Sequence, residues 1–301
     1  MESFNLVFAS DREYLPHLSV AIASLIAHNP DAVLNFYIIT SDINSSEWEN
    51  LVGLDYQKKH LFINSQIDHA EIADLPTAFH FTSAIYWRLF IDEIVPYDKA
   101  LYIDSDVVVN GSLSELWNTK IDGFYLAAVQ EPIFRGHNEL GLSINSKYFN
   151  SGVMLLNLDM WRKNSLRKKV LEFIRNKPHT IKYGDQCALN AVVDGNWVSV
   201  SPKYNMQTAI LAMENSVRKL HYNFNEIDEA VNCPVIVHYT GSSKPWHLRN
   251  NHPFKKLYWE HLNQTAYKRL LPSDFTIINF IIWIMPKWVK NLAKRFYKCQ
   301  V

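Results

Sequence analysis

The chain has 301 residues, of which 48% are hydrophobic and 20% are charged, a balance that excludes a wholly disordered protein. Lysine plus arginine and aspartate plus glutamate number 30 each, so there is no overall basic field, and a nucleic-acid partner is not expected. The three cysteines are few, odd in number and far apart, which excludes a disulfide scaffold and a zinc ribbon and favours a reducing compartment such as the cytoplasm.

The first half of the chain alternates strand-like and helix-like patterns. A first helix is predicted from the helical spacing of apolar residues over 18–26, and Pro30 stops it. A second helix is predicted where Ser46 and Glu49 have the spacing of a capping box. Thr82 is placed to cap a third helix. This alternation predicts an α/β fold, with a mostly parallel sheet covered by helices on both faces. The predicted strands of this half are 4–9, 33–39, 61–64, 100–103 and 125–129.

Beyond residue 145 the pattern is less regular. No internal repeat, low-complexity tract or clear linker interrupts it, so we expect a single domain over 1–265, followed by a C-terminal segment over 270–301. The predicted elements of this half are strands over 153–158 and 235–238 and helices over 166–176 and 185–193.

The C-terminal segment combines an apolar run with a basic helical face. Residues 275–285 are apolar except for Thr276 and Asn279, but a membrane span needs about 20 such residues. On a helical wheel, residues 287–298 place aromatic and aliphatic side chains on one half and five basic side chains on the other. This pattern is typical of a helix that lies in an anionic membrane surface. The alternative is a helix that packs on the body with its lysines in solvent.

Polar side chains follow three of the predicted strands, and ligands bind at such carboxyl ends in open α/β sheets. Asp11 follows the first strand, and Gln130 and Glu131 follow the fifth. Asp104 and Asp106 follow the fourth strand, and carboxylates at i and i+2 of an extended segment point the same way. Two close carboxylates repel unless a cation lies between them, so this pair is a candidate divalent-metal site. The alternative is a solvated turn.

His238 ends a later apolar strand and is followed by a loop of small residues over 240–245 that contains Lys244. Neutral imidazole is a frequent metal ligand, although a lone histidine at a strand end is more often a hydrogen-bonded structural residue. A small-residue loop with exposed N–H groups and a lysine suits phosphate binding, and an ordinary turn is the alternative.

Six segments together resemble the family 8 retaining glycosyltransferases, and most closely the bacterial lipopolysaccharide and lipooligosaccharide α-galactosyltransferases and α-glucosyltransferases. They span most of residues 4–262, and FNSGVMLLNL and HYTGSSKPWH are specific to the family. The basic, aromatic tail is also similar to the membrane-attachment tail of the lipooligosaccharide galactosyltransferases. The six segments are FASDREYLPHLSVAIASL (8–25), SAIYWRLFIDEIVP (83–96), KALYIDSDVVVNGSLSELW (99–117), YFNSGVMLLNLDMWR (148–162), YGDQCALN (183–190) and HYTGSSKPWH (238–247).

This resemblance implies a GT-A fold, a UDP-sugar donor and a Mn²⁺ cofactor, with Mg²⁺ as the alternative ion. Asp104, Asp106 and His238 match the metal ligands of the family. The positions that match its donor-binding residues are Ala9 and Asp11 at the uridine, Ser105 against the nucleotide, Arg88 at the donor, and Gly241 and Lys244 at the diphosphate.

The resemblance also places Asn150, Asp185 and Gln186 around the transferred sugar. Gln186 fills the position from which a double displacement would need a nucleophile, and an amide is a poor one. We therefore expect retention by substitution on the face that UDP leaves, with Gln186 stabilising positive charge; Asp185 is the alternative nucleophile. Glu131 stands where aspartate is usual at the donor sugar, and Glu13 where asparagine is frequent beside the uridine. Galactose is favoured and glucose comes next.

The acceptor that the resemblance implies is a lipid-linked oligosaccharide at the cytoplasmic face of the inner membrane, with residues 275–301 on the anionic surface. The N-terminus lacks the pattern of a signal peptide, so secretion is not expected. The alternatives are a glycogenin-like self-glucosylating transferase and a non-catalytic protein that binds UDP-sugars or membranes. A sugar nucleotidyltransferase would need a Gly-rich basic loop after the first strand, where residues 10–13 contain no glycine.

Overall fold

A computed structural model of the chain describes residues 2–41, 43–76, 83–212 and 222–285, in which strands and helices alternate. The strands are β1 (Ser3–Ser10), β2 (Val33–Thr40), β3 (Leu61–Ser65), β4 (Lys99–Ile103), β5 (Val107–Val109), β6 (Leu126–Gln130), β7 (Phe149–Asn157), β8 (Val198–Ser199), β9 (Met206–Gln207) and β10 (Ile236–His238).

The helices are α1 (Leu15–His28), α2 (Ser45–Val52), α3 (Ile91–Ile94), α4 (Ser114–Trp117), α5 (His137–Leu140), α6 (Leu158–Lys163), α7 (Leu166–Asn176), α8 (Asp185–Val193), α9 (Thr208–Ala212), α10 (Phe224–Asn232), α11 (Lys255–Leu262) and α12 (Ile277–Ile284). Short 3₁₀ helices occupy Arg12–Tyr14, His69–Ile72, Ser83–Phe90, Pro178–Thr180 and Pro202–Asn205.

A seven-stranded sheet in the order β3-β2-β1-β4-β7-β6-β8 organises the fold. β1 runs parallel to β2 and β4, β2 to β3, and β6 to β8, whereas β7 is antiparallel to its neighbours β4 and β6. Successive residues of β1 face opposite cores: Val7 lies in one hydrophobic cluster, and Leu6 and Phe8 lie in the other. The predicted α/β fold with a mostly parallel sheet is therefore confirmed, and burial on both faces explains its continuous apolar strands.

The capping box predicted at Ser46 and Glu49 is wrong by two residues. Asn44 Oδ1 accepts a hydrogen bond from the N–H of Glu47 (2.9 Å), and Glu47 Oε2 accepts one from the N–H of Asn44 (2.8 Å). Asparagine is among the best N-cap residues, so α2 begins one residue before Ser46. The segment from Ser83 to Phe90 is a 3₁₀ helix rather than an α-helix. Thr82, its predicted cap, lies outside the described residues.

A second, three-stranded sheet in the order β5-β10-β9 adjoins the first. β10 is antiparallel to β5, so that His238 pairs with Val107. The chain crosses from β4 in the large sheet to β5 in the small one through a turn at residues 104–106. The prediction that Asp104 and Asp106 stand on an extended segment is therefore wrong, but the same crossing brings their turn beside the end of β10.

The apolar run at 275–285 forms α12, which begins after the N-cap Thr276 and keeps several large side chains in solvent. Ile277 and Ile278 are 76% and 70% exposed. Among the helices in the described ranges, none combines the length and the hydropathy needed to cross a bilayer. The amphipathic basic helix predicted over 287–298 lies outside those ranges.

Candidate metal centre

Two carboxylates and one imidazole meet where the two sheets adjoin. His238 Nε2 lies 3.2 Å from Asp106 Oδ1 and 3.7 Å from Asp104 Oδ2. One ligand atom from each of the three residues lies within 4.8 Å of the others. Carboxylate oxygens with one imidazole nitrogen form a donor set that suits Mn²⁺ or Mg²⁺. The structure thus brings together the three ligands that the sequence predicts, and their chemistry fits a divalent cation.

Gly152, in the middle of β7, makes room for this cluster. A Cβ atom added at Gly152 would lie 2.3 Å from His238 Cε1 and 2.6 Å from Asp104 Oδ2. Real Cβ atoms do not approach other heavy atoms this closely, so no residue with a side chain fits here without displacing both ligands. A glycine inside a strand often marks such a close approach.

Lys244 lies against the metal-ligand Asp106. Its ammonium donates hydrogen bonds to Asp106 Oδ2 and to the carbonyl oxygen of Tyr239. Burial opposes ionisation of Asp106, but the charge and the hydrogen bond of Lys244, together with the nearby His238 ring, outweigh burial and hold the pKa of the Asp106 carboxyl well below its usual range. Asp106 is therefore a carboxylate at neutral pH, and the predicted diphosphate lysine stands directly beside it.

Arg88 connects the metal cluster to Asp185. Its guanidinium lies 3.1 Å from Asp104 Oδ1 and 3.2 Å from Asp185 Oδ2, and it stacks 4.6 Å above the ring of Tyr102. Burial raises the pKa of Asp185 to about 6, although Arg88 opposes the shift, and the nearby Asp104 adds to it. Asp185 is thus a fixed, buried carboxyl one contact away from a metal ligand.

The other predicted sugar-lining residues lie on β7 and α8. Gln186 Oε1 accepts a hydrogen bond from the N–H of Ser151 (2.9 Å), and Asn150 Nδ2 donates one to Glu131 Oε2 (3.0 Å). Burial raises the pKa of the Glu131 carboxyl against the effect of this hydrogen bond. A hydrogen bond thus joins Asn150 to Glu131, and Gln186 is fixed by Ser151, the residue that follows Asn150 in β7.

The predicted nucleotide-binding residues lie near or just after the ends of β1, β4 and β10. Ser105 is buried between the two aspartates, and its Oγ has no hydrogen-bond partner among the described residues. Ala9 is half-buried in β1, and Asp11 caps the following 3₁₀ helix by accepting a hydrogen bond from the N–H of Tyr14 (3.1 Å). Gly241 adopts a left-handed φ of +88°, which favours glycine at this point of the loop.

The loop after β10 packs against side chains of α1 and α11. The ring of Trp246 stacks on His17 with centroids 3.4 Å apart, and His17 Nδ1 is hydrogen-bonded to Tyr258 Oη (2.7 Å). The ammonium of Lys255 donates to three backbone carbonyl oxygens, those of His247, Leu248 and Asn250. These contacts fix the segment that carries Lys244 against α1 and α11.

The buried His17 predicts an acid-sensitive fold. Burial lowers the pKa of His17 to about 3, whereas a histidine in the unfolded chain titrates near 6.5. The unfolded chain therefore binds more protons between these values, so stability rises with pH through this window and is lost as the pH falls. When the pH falls from 7.5 to 5, His17 is expected to lower the free energy of unfolding by about 2 kcal/mol.

Urea denaturation at pH 7.5 and pH 5 measures this difference in the free energy of unfolding. His17→Phe keeps an aromatic ring against Trp246 but cannot titrate. The free energy of unfolding of this variant should therefore fall by about 2 kcal/mol less between pH 7.5 and pH 5 than that of the wild type. The exposed His179 is the matched control, and His179→Gln should behave as the wild type does. An unchanged difference in His17→Phe would contradict the assignment.

Sequence reasoning missed Gly152 and also Asn205, whose Oδ1 lies 2.8 Å from His238 Nδ1. Gly152 carried a signal, because it stands directly before the predicted strand 153–158, and a glycine at a strand often marks a close approach of another group. Asn205 carried none, because its contact joins residues that are 33 positions apart in the chain.

Comparison with known proteins decides the family of this chain. The model of "Glycosyl transferase family 8" matches residues 5–249. The chain belongs to glycosyl transferase family 8. The resemblance inferred from the six sequence segments is therefore confirmed.

Relatives in family 8 come from several bacteria. Glycosyltransferase GlyB of Streptococcus pneumoniae is 33% identical over 269 residues, which are 86% of this chain and 61% of GlyB. The chain thus spans less than two thirds of that relative. Lipopolysaccharide 1,2-glucosyltransferase of Escherichia coli is 29% identical over 93% of this chain and 83% of its own length.

The fold also has a solved counterpart. The crystal structure of galactosyltransferase LgtC in complex with donor and acceptor sugar analogs superimposes with a TM-score of 0.79 and 26% identity, over 90% of this chain and 98% of LgtC. This likeness confirms a GT-A-like α/β fold for the family 8 chain.

Proposed function

We propose that this chain is a retaining hexosyltransferase, which moves a hexose from a UDP-sugar to a hydroxyl group of a lipopolysaccharide or lipooligosaccharide core saccharide. Family membership supports transferase chemistry. Relatives named a lipopolysaccharide glucosyltransferase and a galactosyltransferase support the substrate class. The observation that carries the proposal is the convergence of Asp104, Asp106 and His238 beside the buried Asp185 and Gln186.

The difficult step is cleavage of the bond between the anomeric carbon and the diphosphate oxygen, because UDP leaves as a dense anion. A Mn²⁺ or Mg²⁺ ion held by Asp104, Asp106 and His238 would neutralise charge that grows on that leaving group. Lys244 stands beside Asp106 and adds a positive charge on the same side. Ala9, Asp11, Ser105, Arg88, Gly241 and Lys244 are the proposed donor-binding residues.

Gln186 and Asp185 support substitution on the face that UDP leaves. The side-chain carbonyl of Gln186 is fixed by the N–H of Ser151, so its dipole can stabilise positive charge on the sugar ring. Asp185 is paired with Arg88, and this buried ion pair makes it a weaker candidate for a free nucleophile. Asp185 and Asn150 are therefore proposed to hold sugar hydroxyl groups, while a phosphate oxygen takes the proton of the acceptor hydroxyl.

Gln186→Ala is expected to lower turnover by about 10²–10³, because it removes one electrostatic stabiliser of the transition state, yet activity should stay measurable. Release of UDP from the preferred donor provides the rate. Gln57 lies exposed between α2 and β3, and Gln57→Ala is the matched control with wild-type turnover. Complete loss of activity, with a hexose trapped on Asp185 in the mass spectrum, would overturn this role and support a double displacement.

Galactose is the favoured sugar and glucose the next, and a donor screen decides between them. Purified protein is incubated with Mn²⁺ and a panel of UDP-sugars, and free UDP is measured. The proposal expects release from UDP-galactose or UDP-glucose only when Mn²⁺ is present. No release from any donor would favour a non-catalytic binding protein, and a hexose on the protein itself would favour a self-glycosylating transferase.

Residues 275–301 are proposed to attach the enzyme to an anionic membrane on its cytoplasmic face. The exposed Ile277, Ile278 and Ile284 of α12 support this, because large apolar groups in solvent mark interaction surfaces. Sedimentation with anionic phospholipid vesicles tests it. Binding should weaken in Ile277→Ser/Ile278→Ser, and equal sedimentation of the two proteins would contradict it.

A further inference from the structure

We infer that Asn205 is a positioning residue, which fixes the ring of His238 and keeps its proton on Nδ1 through hydrogen bonds that start at the backbone of Gly152. The inference rests on the metal site of the proposed function, because it concerns how one of the three ligands is presented. Asn205 ends the 3₁₀ helix before β9 and is fully buried.

The orientation of Asn150 is set by the backbone. The N–H of Gly152 can only donate, and it lies 3.0 Å from Asn150 Oδ1. The other end of the amide, Nδ2, then donates to the Glu131 carboxylate (3.0 Å). The N–H of Gly152 donates and the Glu131 carboxylate accepts, so both contacts require the same orientation of the Asn150 amide.

This orientation determines that of Asn205. Asn150 Oδ1 also lies 2.9 Å from Asn205 Nδ2, and an oxygen requires a donor opposite it. Asn205 must therefore present its NH₂ group to Asn150 and its Oδ1 to His238. The distance from Asn205 Oδ1 to His238 Nδ1 is 2.8 Å.

The orientation of Asn205 in turn selects the tautomer of His238. An amide oxygen accepts but cannot donate, so Nδ1 must carry the hydrogen. With Nδ1 protonated, Nε2 is the nitrogen left to offer a lone pair to a metal ion, and Nε2 is the atom that faces Asp104 Oδ2 and Asp106 Oδ1. Metal-binding histidines commonly have their second nitrogen fixed in this way by a neighbouring acceptor.

The same hydrogen bonds join two parts of the site. Glu131, at the expected position of the donor sugar, is connected through Asn150 and Asn205 to a metal ligand. Loss of a partner that orients a metal-binding histidine typically lowers metal affinity by about 10–100-fold. Asn205 should therefore act on metal affinity without contacting the metal.

Titration of the full-length protein with Mn²⁺, followed by electron paramagnetic resonance without donor or acceptor, measures this affinity. Asn205→Ala is expected to weaken Mn²⁺ binding by about 10–100-fold. Asn205→Asp keeps an oxygen acceptor for Nδ1 but sets its second oxygen against Asn150 Oδ1, so it should lose less affinity than Asn205→Ala. Asn29 is a buried asparagine that bonds to backbone groups on α1 and before α4, so Asn29→Ala is the control for general destabilisation and should keep wild-type affinity.

A second measurement needs no metal. Long-range ¹H–¹⁵N correlation spectra of the metal-free protein show which ring nitrogens of His238 carry a proton. Nδ1 should carry one in the wild type, whether or not Nε2 also carries one beside the two carboxylates, and this Nδ1 proton should be lost or exchange rapidly with water in Asn205→Ala. A wild-type ring without a proton on Nδ1, or unchanged Mn²⁺ affinity in Asn205→Ala, would overturn the role of Asn205. Failure of the wild type to bind Mn²⁺ would instead overturn the metal site, and the spectra would still decide the tautomer.

Discussion

Gly152→Ala is expected to lower Mn²⁺ affinity and turnover by on the order of 10²-fold or more while the fold is retained. The added Cβ would overlap His238 Cε1 at 2.3 Å and Asp104 Oδ2 at 2.6 Å. β7 lies between β4 and β6 in the sheet, so its backbone cannot retreat. The two ligands must move instead, and displacements of about 1 Å at a reacting centre cost roughly 10²-fold in rate.

Gly111→Ala is the matched control for this substitution. The three atoms nearest to a Cβ atom at Gly111 would all belong to Val235, at 3.5 Å or more, which is ordinary van der Waals contact. This variant should bind Mn²⁺ as the wild type does. Circular dichroism establishes that both variants are folded, and calorimetric titration with Mn²⁺ gives the affinities. Wild-type affinity in folded Gly152→Ala would contradict the proposed position of the metal.

Asp106→Asn is expected to lower UDP release by about 10³-fold, because it removes one anionic ligand without changing the size of the side chain. It also removes the carboxylate partner of Lys244, so the metal loses an anionic ligand and the ammonium of Lys244 loses its counter-charge. Chelation of divalent ions with EDTA should bring the wild type down to the same level. Adding Mn²⁺ back should restore the wild type and leave Asp106→Asn inactive.

The exposed Asp122 provides the matched control for the loss of a carboxylate. Asp122→Asn should respond to EDTA and to Mn²⁺ as the wild type does. UDP release by the wild type that is insensitive to EDTA would contradict a role for the Asp104, Asp106 and His238 cluster in metal binding.

The parts of the fold that the sequence predicted are those with a local signal. β1, β2 and β4 are apolar runs buried on both faces, and α7 and α8 were predicted at their observed bounds because apolar residues recur along them. β5, β8 and β9 were not predicted, because strands of three, two and two residues show no period. They exist through pairing with distant parts of the chain.

The residues of the candidate site also fall into those with a local sequence signal, which were predicted, and those without one, which were missed. Asp104 and Asp106 were predicted as a candidate metal site because they follow an apolar strand, although their turn is not the extended segment that was expected. The resemblance to family 8 then implied His238 as the third ligand. Asn205 was missed, because its role depends on partners 33 and 55 positions away in the chain. The N-cap at Asn44 was missed because Ser46 and Glu49 offered a competing capping box of the usual spacing.

Asp104, Asp106 and His238 are proposed to hold one divalent cation that binds the diphosphate of a sugar nucleotide. Crystals grown with Mn²⁺ and UDP, measured at the manganese absorption edge, test this directly. The expected result is a single anomalous peak within bonding distance of all three side chains and of diphosphate oxygens. A UDP-bound crystal in which manganese is absent, or is bonded without these three residues, would contradict it.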